Sequence, residues 1–294
     1  MLYYFGTHFT DICKLPGLCH KICSFPDNSK KIGGIMGHPD PIAFTIAGIE
    51  IRWYGILIAA GMLLAVYISS RRAPTHGITD EDVLDIALWM LPIGVIGARV
   101  YYVLFNLDMY HSLRDAVNIR NGGLAIHGGL IFGMITVFFI CHRKKISALN
   151  VLDLFIPTVA LAQSIGRWGN YFNGEAHGGP TDLPWGILVD GVKVHPTFLY
   201  ESLWCLFLFF FLSWWDRNRR EANGQTLALY GILYSSERFF VESLRTDSLM
   251  IGPFKQAQVI SICAIIASVI LFFYSRRHWP VSETAAIRQE SNNQ

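Results

Sequence analysis

The chain has 294 residues, of which 52% are apolar and only 16% are charged, and its mean hydropathy is +0.35. A water-soluble domain of this size rarely has so few charged residues, so the composition indicates a polytopic membrane protein. The formal net charge is only +2 and the basic residues form short separate clusters, which excludes a nucleic-acid-binding surface.

Residues 1–35 differ in composition from the rest of the chain. They are polar to mixed and contain no apolar run long enough to span a bilayer or to form the core of a signal peptide. Three cysteines and a histidine lie between Cys13 and Cys23, but their spacing fits none of the usual metal-ligand patterns. We therefore expect a disordered leader, or an upstream start codon chosen in error, with Met36 as the working start.

Seven apolar segments follow, each near the about 20 residues that a membrane-spanning helix needs. We place them at residues 51–70, 83–105, 124–141, 151–166, 197–215, 226–245 and 257–275, the fourth being short. The loops between them are alternately rich and poor in Arg and Lys. By the positive-inside rule, the sequence predicts an all-α protein with seven transmembrane helices, its N-terminus outside and its C-terminus in the cytoplasm. Residues 36–277 would form the membrane domain and residues 278–294 a cytoplasmic tail.

The first two segments bring polar side chains to the outer face of the membrane. Arg52 and Trp53 open the first segment, and we interpret both as interfacial anchors. In the second segment Arg99, Tyr102 and Asn106 follow at i, i+3 and i+7 along one helix face.

His127 begins the third segment between the pairs Gly122-Gly123 and Gly128-Gly129. The glycines leave the imidazole ring accessible, as a base would need. A lone histidine facing a membrane interior is nevertheless more often a hydrogen-bonded packing residue, so both interpretations stay open.

The stretch Gln163–Glu175, which reads Q-S-I-G-R-W-G-N-Y-F-N-G-E, is the most unusual in the chain. Its Arg167 follows an apolar run and is expected at or just inside a membrane boundary, where a guanidinium needs a polar or anionic partner. On a continuing helix Gln163, Arg167 and Asn170 form one polar stripe, with two glycines beside it that admit a neighbouring helix or a lipid headgroup. This surface suits a phosphate, and the alternative is a buried arginine that holds helix ends together.

The last polar residues precede the fifth segment and line the sixth. His195 and Pro196 come before the fifth segment, with Tyr200 and Glu201 one turn inside it. The sixth carries a polar seam at i, i+4, i+8 and i+11, formed by Tyr234, Arg238, Glu242 and Arg245. Arg238 and Glu242 could simply neutralise each other, but so many polar groups at one depth indicate a cavity open to the outer leaflet.

The motifs narrow the class of chemistry. The chain has no H-E-x-x-H, and Ser164 does not lie in a G-x-S-x-G elbow, which argues against proteolysis. A transporter or binder of an anionic lipid or solute stays possible, although the sequence has no internal repeat. An enzyme acting on a lipid headgroup fits better, because arginines bind phosphate through paired hydrogen bonds.

Five separated motifs occur in order: Ile51–Gly55, His127–Leu130, Gly166–Glu175, His195–Pro196 with Leu199–Glu201, and Arg238–Arg245. With these motifs, the chain from about residue 36 to residue 277 resembles the prolipoprotein diacylglyceryl transferase family. The resemblance implies transfer of the diacylglyceryl group from phosphatidylglycerol to the lipobox cysteine of a prolipoprotein, at the bacterial cytoplasmic membrane. The products would be a thioether-linked lipid and glycerol phosphate, and no cofactor or metal is expected.

The resemblance also implies roles for individual residues. Arg167, Arg238 and Asn170 would stabilise the phosphate-bearing leaving group. His127 would be the base for the substrate thiol, with Tyr54 or Glu175 as reserves. Glu242 would orient Arg238 or Arg245, and His195 and Asn173 would shape the outer mouth. The expected catalytic residues are His127, Arg167, Arg238 and Tyr54, and the expected substrate-binding residues are Arg99, Arg167, Asn170, Asn173, Glu175, Gly178, His195, Tyr234, Arg238, Glu242 and Arg245.

Overall fold

The computed structural model describes residues 39–281, apart from residues 47–48, 111, 119–121, 190, 247 and 249. The leader predicted at residues 1–35 and the tail beyond residue 281 lie outside the described residues. Within the described part the protein is mostly helical, as predicted, but it also contains six short strands that the predicted all-α class does not include.

The helices are α1 (Trp53–Arg72), α2 (Asp80–Leu104), α3 (Leu113–Val117), α4 (Ile126–Lys144), α5 (Ala148–Asn173), α6 (Thr197–Asn218), α7 (Gln225–Leu244) and α8 (Gln256–His278). The strands are β1 (Ile42–Ile46), β2 (Ile49–Arg52), β3 (Ile187–Val189), β4 (Val192–Val194), β5 (Met250–Ile251) and β6 (Phe254–Lys255). Consecutive strands pair as three antiparallel hairpins, β1 with β2, β3 with β4 and β5 with β6.

Six helices of the described chain are long and apolar enough to cross a membrane, namely α1, α2, α4, α5, α6 and α8. Large apolar side chains on their outer faces are exposed, among them Leu63, Phe139 and Ile270. Rows of such side chains would not be tolerated against water, whereas lipid accommodates them. The protein is therefore a multi-pass membrane protein. Helix α7 is as long as α1 but less apolar, because it contains Arg238 and two glutamates, Glu237 and Glu242.

One boundary and one helix-face assignment predicted from the sequence are wrong. The fourth segment, placed at 151–166, is α5 with 26 residues, and it carries the helix through Arg167 to Asn173. Gly174 ends it with a φ of 66°, a left-handed conformation that glycine adopts without steric cost. Asn106 lies beyond the end of α2, where its side chain donates to the carbonyl of Tyr102 at 2.8 Å, so it does not continue the predicted stripe.

Helix α5 is the centre of the bundle. It packs against α1 on one side and α6 on the other, and it also contacts α4 and α7. Its side chains from Asn150 to Thr158 are all buried, as are Ser164, Gly166 and Gly169 further along. Arg167 is therefore held on the most enclosed helix of the described structure, between α1, α6 and α7.

The basic loops meet at one end of the bundle, which we call the basic end. Helices α1, α4, α6 and α8 end there, and α2, α5 and α7 begin there. The loop after α6 is joined to the residues after α8 by a bridge between Ala222 and Pro280. The three hairpins lie in the connections at the opposite end, which we call the hairpin end.

A group of ionisable side chains, most of them buried, links the helices at the basic end, and we call it the ionic network. It consists of Arg72, His76, Asp153, Asp216 and Arg220. Asp216 Oδ2 accepts from Arg72 Nη2 at 2.7 Å and lies 2.8 Å from His76 Nε2, while Arg220 Nε lies 3.4 Å from Asp216 Oδ1. The network thus joins the end of α1, the start of α5 and the end of α6.

Candidate functional site

Two arginines from different helices meet at one carboxylate towards the hairpin end. Arg167 Nε on α5 lies 2.6 Å from Glu201 Oε2 on α6. Arg238 Nη1 on α7 donates to Glu201 Oε1 at 2.8 Å, and Arg238 Nη2 lies 2.8 Å from Glu242 Oε2. We call these four residues the arginine cluster. The predicted meeting of Arg167 and Arg238 is therefore present in the structure.

Burial divides the arginine cluster into a hidden acidic side and a more open basic side. The side chains of Glu201 and Glu242 are 1% and 3% exposed, whereas those of Arg167 and Arg238 are 21% and 23% exposed. The carboxylates neutralise the guanidiniums from within the protein, which lowers the cost of holding two cations there. A guanidinium has five N–H donors, so each arginine retains donors for a further acceptor.

Phenol and amide groups extend the polar lining along α5 and α7. Arg167 Nη2 donates to the hydroxyl of Tyr234 at 3.3 Å, and the hydroxyl of Tyr230 donates to Gln163 Oε1 at 2.7 Å. The rings of Tyr230 and Tyr234 stack with their centroids 5.2 Å apart. The predicted polar stripe of α5 and the predicted seam of α7 therefore face each other.

A serine pair holds α5 and α6 close together beside the arginine cluster. Ser164 Oγ donates to the carbonyl of Ser202 at 2.8 Å, and Ser202 Oγ donates to the carbonyl of Ser164 at 2.9 Å. Trp168 Nε1 also donates to Ser202 Oγ at 3.1 Å. Because Ser202 follows Glu201 in the chain, these bonds hold the α6 backbone beside Glu201 close to α5.

The first turn of α1 covers the same region. The ring of Tyr54 lies directly over Gly169, where a Cβ atom would come within 2.5 Å of the ring. The Tyr54 phenol is close enough to Arg167 and Glu175 to interact with both electrostatically. The absence of a side chain at Gly169 therefore allows α1 to pack closely against α5.

The connection between α5 and α6 is tied to the end of α7. The N–H of Gly178 donates to the carbonyl of His195 at 2.9 Å, and Gly178 also forms a bridge with Arg245. A side chain at Gly178 would collide with His195, whose Cβ would lie only 2.8 Å away. Asn173 Nδ2 donates to Glu175 Oε1 at 3.1 Å, so the end of α5 also holds the start of this loop.

His127 lies apart from these contacts. It is exposed in the first turn of α4, and its ring centroid is 6.1 Å from that of Tyr101 on α2. Among the described residues, no contact of His127 reaches the arginine cluster. The ring is accessible, as the sequence predicts, but its role as a base stays a prediction.

Arg99 makes its hydrogen bonds to the main chain. Its guanidinium donates to the carbonyls of Asp115, Ala116, Asn118, Gly122 and Gly123 at 2.7–3.0 Å. These bonds hold the connection between α2 and α4, and the residue is only 7% exposed. The geometry favours a structural role over the predicted contact with substrate.

The sequence places Glu201 in one of the five motifs but indicates no role for it. The structure makes it the residue that joins the two arginines. A usable signal was present, because an acidic side chain one turn inside an apolar helix is costly and needs a cationic partner. Sequence alone did not show which cations would supply it.

Comparison with known proteins identifies the family of the chain. The family model for prolipoprotein diacylglyceryl transferase matches residues 41–274. The chain belongs to the prolipoprotein diacylglyceryl transferase family. It is 51% identical over 233 residues to the phosphatidylglycerol–prolipoprotein diacylglyceryl transferase of Finegoldia magna, covering 79% of this chain and 94% of that protein.

Two further relatives carry the same name. The Clostridioides difficile protein is 51% identical over 236 residues, covering 80% of this chain and 95% of its own length. The Thermotoga maritima protein is 44% identical over 245 residues, covering 79% and 84%. As a prolipoprotein diacylglyceryl transferase family member, the protein is a transferase of lipoprotein biosynthesis.

Proposed function

We propose that the protein transfers the diacylglyceryl group of phosphatidylglycerol to the lipobox cysteine of prolipoproteins at the bacterial cytoplasmic membrane. The names of the relatives supply the two substrates. The observation that carries the proposal is the placement of Arg167 and Arg238 on one buried carboxylate, with both guanidiniums partly exposed.

The two guanidiniums bind the phosphate of the lipid. As the bond between the glycerol carbon and the phosphate oxygen breaks, negative charge grows on the departing glycerol phosphate. Positioned cations stabilise this charge strongly in a site that excludes water. Asn170, one turn after Arg167 on α5, adds an amide donor on the same helix face.

Glu201 and Glu242 are positioning residues in this proposal. Each carboxylate is enclosed and contacts a guanidinium, so it fixes where the arginine points without reaching the lipid. A guanidinium held in one rotamer loses less entropy when the phosphate binds. Tyr234 supports Arg167 in the same way through its hydroxyl.

The reaction also needs a thiolate. A cysteine thiol has a reference pKa of about 8.5, so a base must accept its proton before sulfur attacks the glycerol carbon. We propose His127 as this base, with Tyr54, which is within electrostatic range of Arg167, or Glu175 as alternatives. His127→Gln tests the assignment, because a variant that keeps the wild-type rate and pH profile would exclude His127.

The remaining predicted residues border the hairpin end. We propose that Asn173, Glu175, Gly178, His195 and Arg245 shape the mouth through which substrate reaches the cluster. Their contacts to one another support this placement.

We further propose that α7 is a seventh crossing, with the hairpin end outside and the basic end in the cytoplasm. Helix α7 starts beside Ala222 at the basic end and finishes beside the bridge from Gly178 to Arg245 at the hairpin end. The family match to residues 41–274 supports residues 36–277 as the catalytic domain. In a background with the six native cysteines replaced by serine, a membrane-impermeant maleimide applied to intact cells should label Asp182→Cys and not Arg219→Cys. The reverse labelling would overturn the orientation.

A direct assay tests the proposed reaction. The protein in vesicles containing labelled phosphatidylglycerol is mixed with a lipobox peptide, and lipidated peptide is measured by mass. We expect a mass increase equal to one diacylglyceryl group, and none when the peptide cysteine is replaced by serine. A protein that only transports or binds an anionic lipid would give no lipidated peptide.

A further inference from the structure

Glu237 stands immediately before Arg238 on α7 and differs from every acidic residue of the arginine cluster. Both of its carboxyl oxygens are shielded from solvent, yet neither has a hydrogen-bond partner among the described residues. A buried carboxyl without donors is costly, and native structures seldom keep one unless water or a ligand satisfies it.

The side chain faces the same space as the arginine cluster. Glu237 lies within electrostatic range of Arg167, Arg238 and Glu201, and also of Cys205, which is one turn after Glu201 on α6. It follows Tyr234 at i+3, so it shares the helix face whose phenol meets Arg167. The carboxyl is therefore directed between α5, α6 and α7.

The charges around it limit what it can bind. Arg167 and Arg238 are already balanced by Glu201 and Glu242, so Glu237 has no cation of its own in the cluster. A phosphate would be repelled by an ionised Glu237 and would bind to the guanidiniums instead. The groups that satisfy such a carboxyl are hydrogen-bond donors without negative charge, such as hydroxyls.

We propose that Glu237 binds the hydroxyl groups of the lipid headgroup and so determines specificity for a hydroxyl-bearing headgroup. The inference rests on the proposed binding of the lipid phosphate by Arg167 and Arg238. The headgroup glycerol of phosphatidylglycerol is attached to that phosphate and carries two free hydroxyls, which match the two unpartnered oxygens. Glu237 thus distinguishes this lipid from other anionic phospholipids, while the arginines provide the attraction for the phosphate.

The test compares two lipids of equal charge. Phosphatidylethanol is an anionic phosphodiester like phosphatidylglycerol, but its headgroup has no hydroxyl. Peptide lipidation is measured with each lipid for the wild type, Glu237→Ala and Glu237→Gln. Glu221→Gln is the matched control, because Glu221 is an exposed carboxylate at the basic end that pairs with Arg276.

We expect the wild type to prefer phosphatidylglycerol and Glu237→Ala to lose about tenfold in turnover of that lipid, the effect of losing a hydrogen bond to a charged group. Turnover of phosphatidylethanol should change less than about twofold. The Glu237→Gln variant should turn over phosphatidylglycerol at a rate between those of the wild type and Glu237→Ala. The Glu221→Gln variant should match the wild type.

Three outcomes would overturn the inference: a wild type with no preference, an equal loss with both lipids, or no loss at all. An equal loss of turnover with both lipids would indicate that Glu237 has a structural role or carries a proton. If Glu237→Ala does not insert into the membrane, the two lipids are compared with Glu237→Gln instead. Failure of phosphate binding is distinguishable, since Arg167→Ala should lower the rate with both lipids alike.

Discussion

The basic end and the hairpin end of the bundle use the same kinds of charged side chain in opposite ways. At the basic end, Asp153 accepts from the backbone N–H groups of Gly224 and Leu227, and Asp216 accepts from Thr226 as well as from Arg72. Each of these carboxylates therefore has partners on both oxygens. At the hairpin end, both oxygens of Glu237 are buried without a hydrogen-bond partner in the part of the chain that the structure describes.

Exposure separates the two groups less sharply. Arg220 of the ionic network is only 7% exposed, but Arg72 is 18% exposed, close to Arg167 at 21% and Arg238 at 23%. A satisfied and enclosed network stabilises the fold, while a cluster with accessible donors and unmet acceptors can bind a ligand. Substitutions at the two ends should therefore affect different measured quantities.

The largest effect should come from the two arginines. Arg167→Ala and Arg238→Ala should each lower the rate of peptide lipidation at least about 100-fold, because each removes a cation that stabilises the leaving phosphate. Membrane insertion, measured by the yield of detergent-extracted protein, should be retained. Arg71→Ala is the control, since Arg71 lies over the ring of Tyr67 at the basic end. Near-wild-type lipidation by either cluster variant would contradict the phosphate role.

The next effect should come from Glu201. Glu201→Gln removes the charge that aligns both arginines, and we expect a loss of about 10- to 100-fold in lipidation, comparable with loss of other positioning contacts. Glu201→Asp should recover part of the rate, because the carboxylate is retained. The loss should appear in kcat more than in KM if Glu201 aligns the arginines for the departing phosphate. A glutamine variant with unchanged kcat would exclude this positioning role.

A smaller effect should follow from crowding the contact between α1 and α5. Gly169→Ala places a methyl group against the ring of Tyr54 and should lower lipidation about fivefold, because displaced groups near a reacting centre are costly. Gly55→Ala serves as the matched control on α1, since no atom lies within 4 Å of a Cβ there. Equal activity of the two variants would show that the position of Tyr54 does not matter.

A substitution that breaks the ionic network should have the smallest effect on turnover. Asp216→Asn breaks buried contacts with Arg72, His76 and Arg220, and we expect the free energy of unfolding to fall by about 3 kcal/mol. The thermal midpoint in detergent should drop, while the rate per folded molecule should stay within about twofold. Glu221→Gln, in an exposed pair, should change the unfolding free energy by less than about 1 kcal/mol. A rate loss in Asp216→Asn without a lower midpoint would contradict the structural role.

The sequence predicted the helical class and most helix positions because long apolar runs have few alternatives in a membrane. It also identified Arg167 and Arg238, since a guanidinium inside an apolar helix is unusual enough to notice. It misjudged α5, because polar residues after Ala162 resemble the end of a span when the neighbouring helices that bury them are unknown.

The same limit explains the residues whose roles were not predicted. Arg99 and Arg167 both lie in apolar segments of the sequence. In the structure, Arg99 donates its hydrogen bonds to backbone carbonyls, whereas Arg167 is paired with a carboxylate. Glu201 and Glu237 differ in the same way, one bridging two cations and the other without a hydrogen-bond partner among the described residues.

The amino-acid sequence alone therefore determined that this protein lies in the membrane, which family it resembles and which rare charges matter. Composition and motif order carry that information because each is a property of the chain. Only the tertiary structure decided which charges neutralise one another and which stay accessible, because those pairings form between helices far apart in the chain.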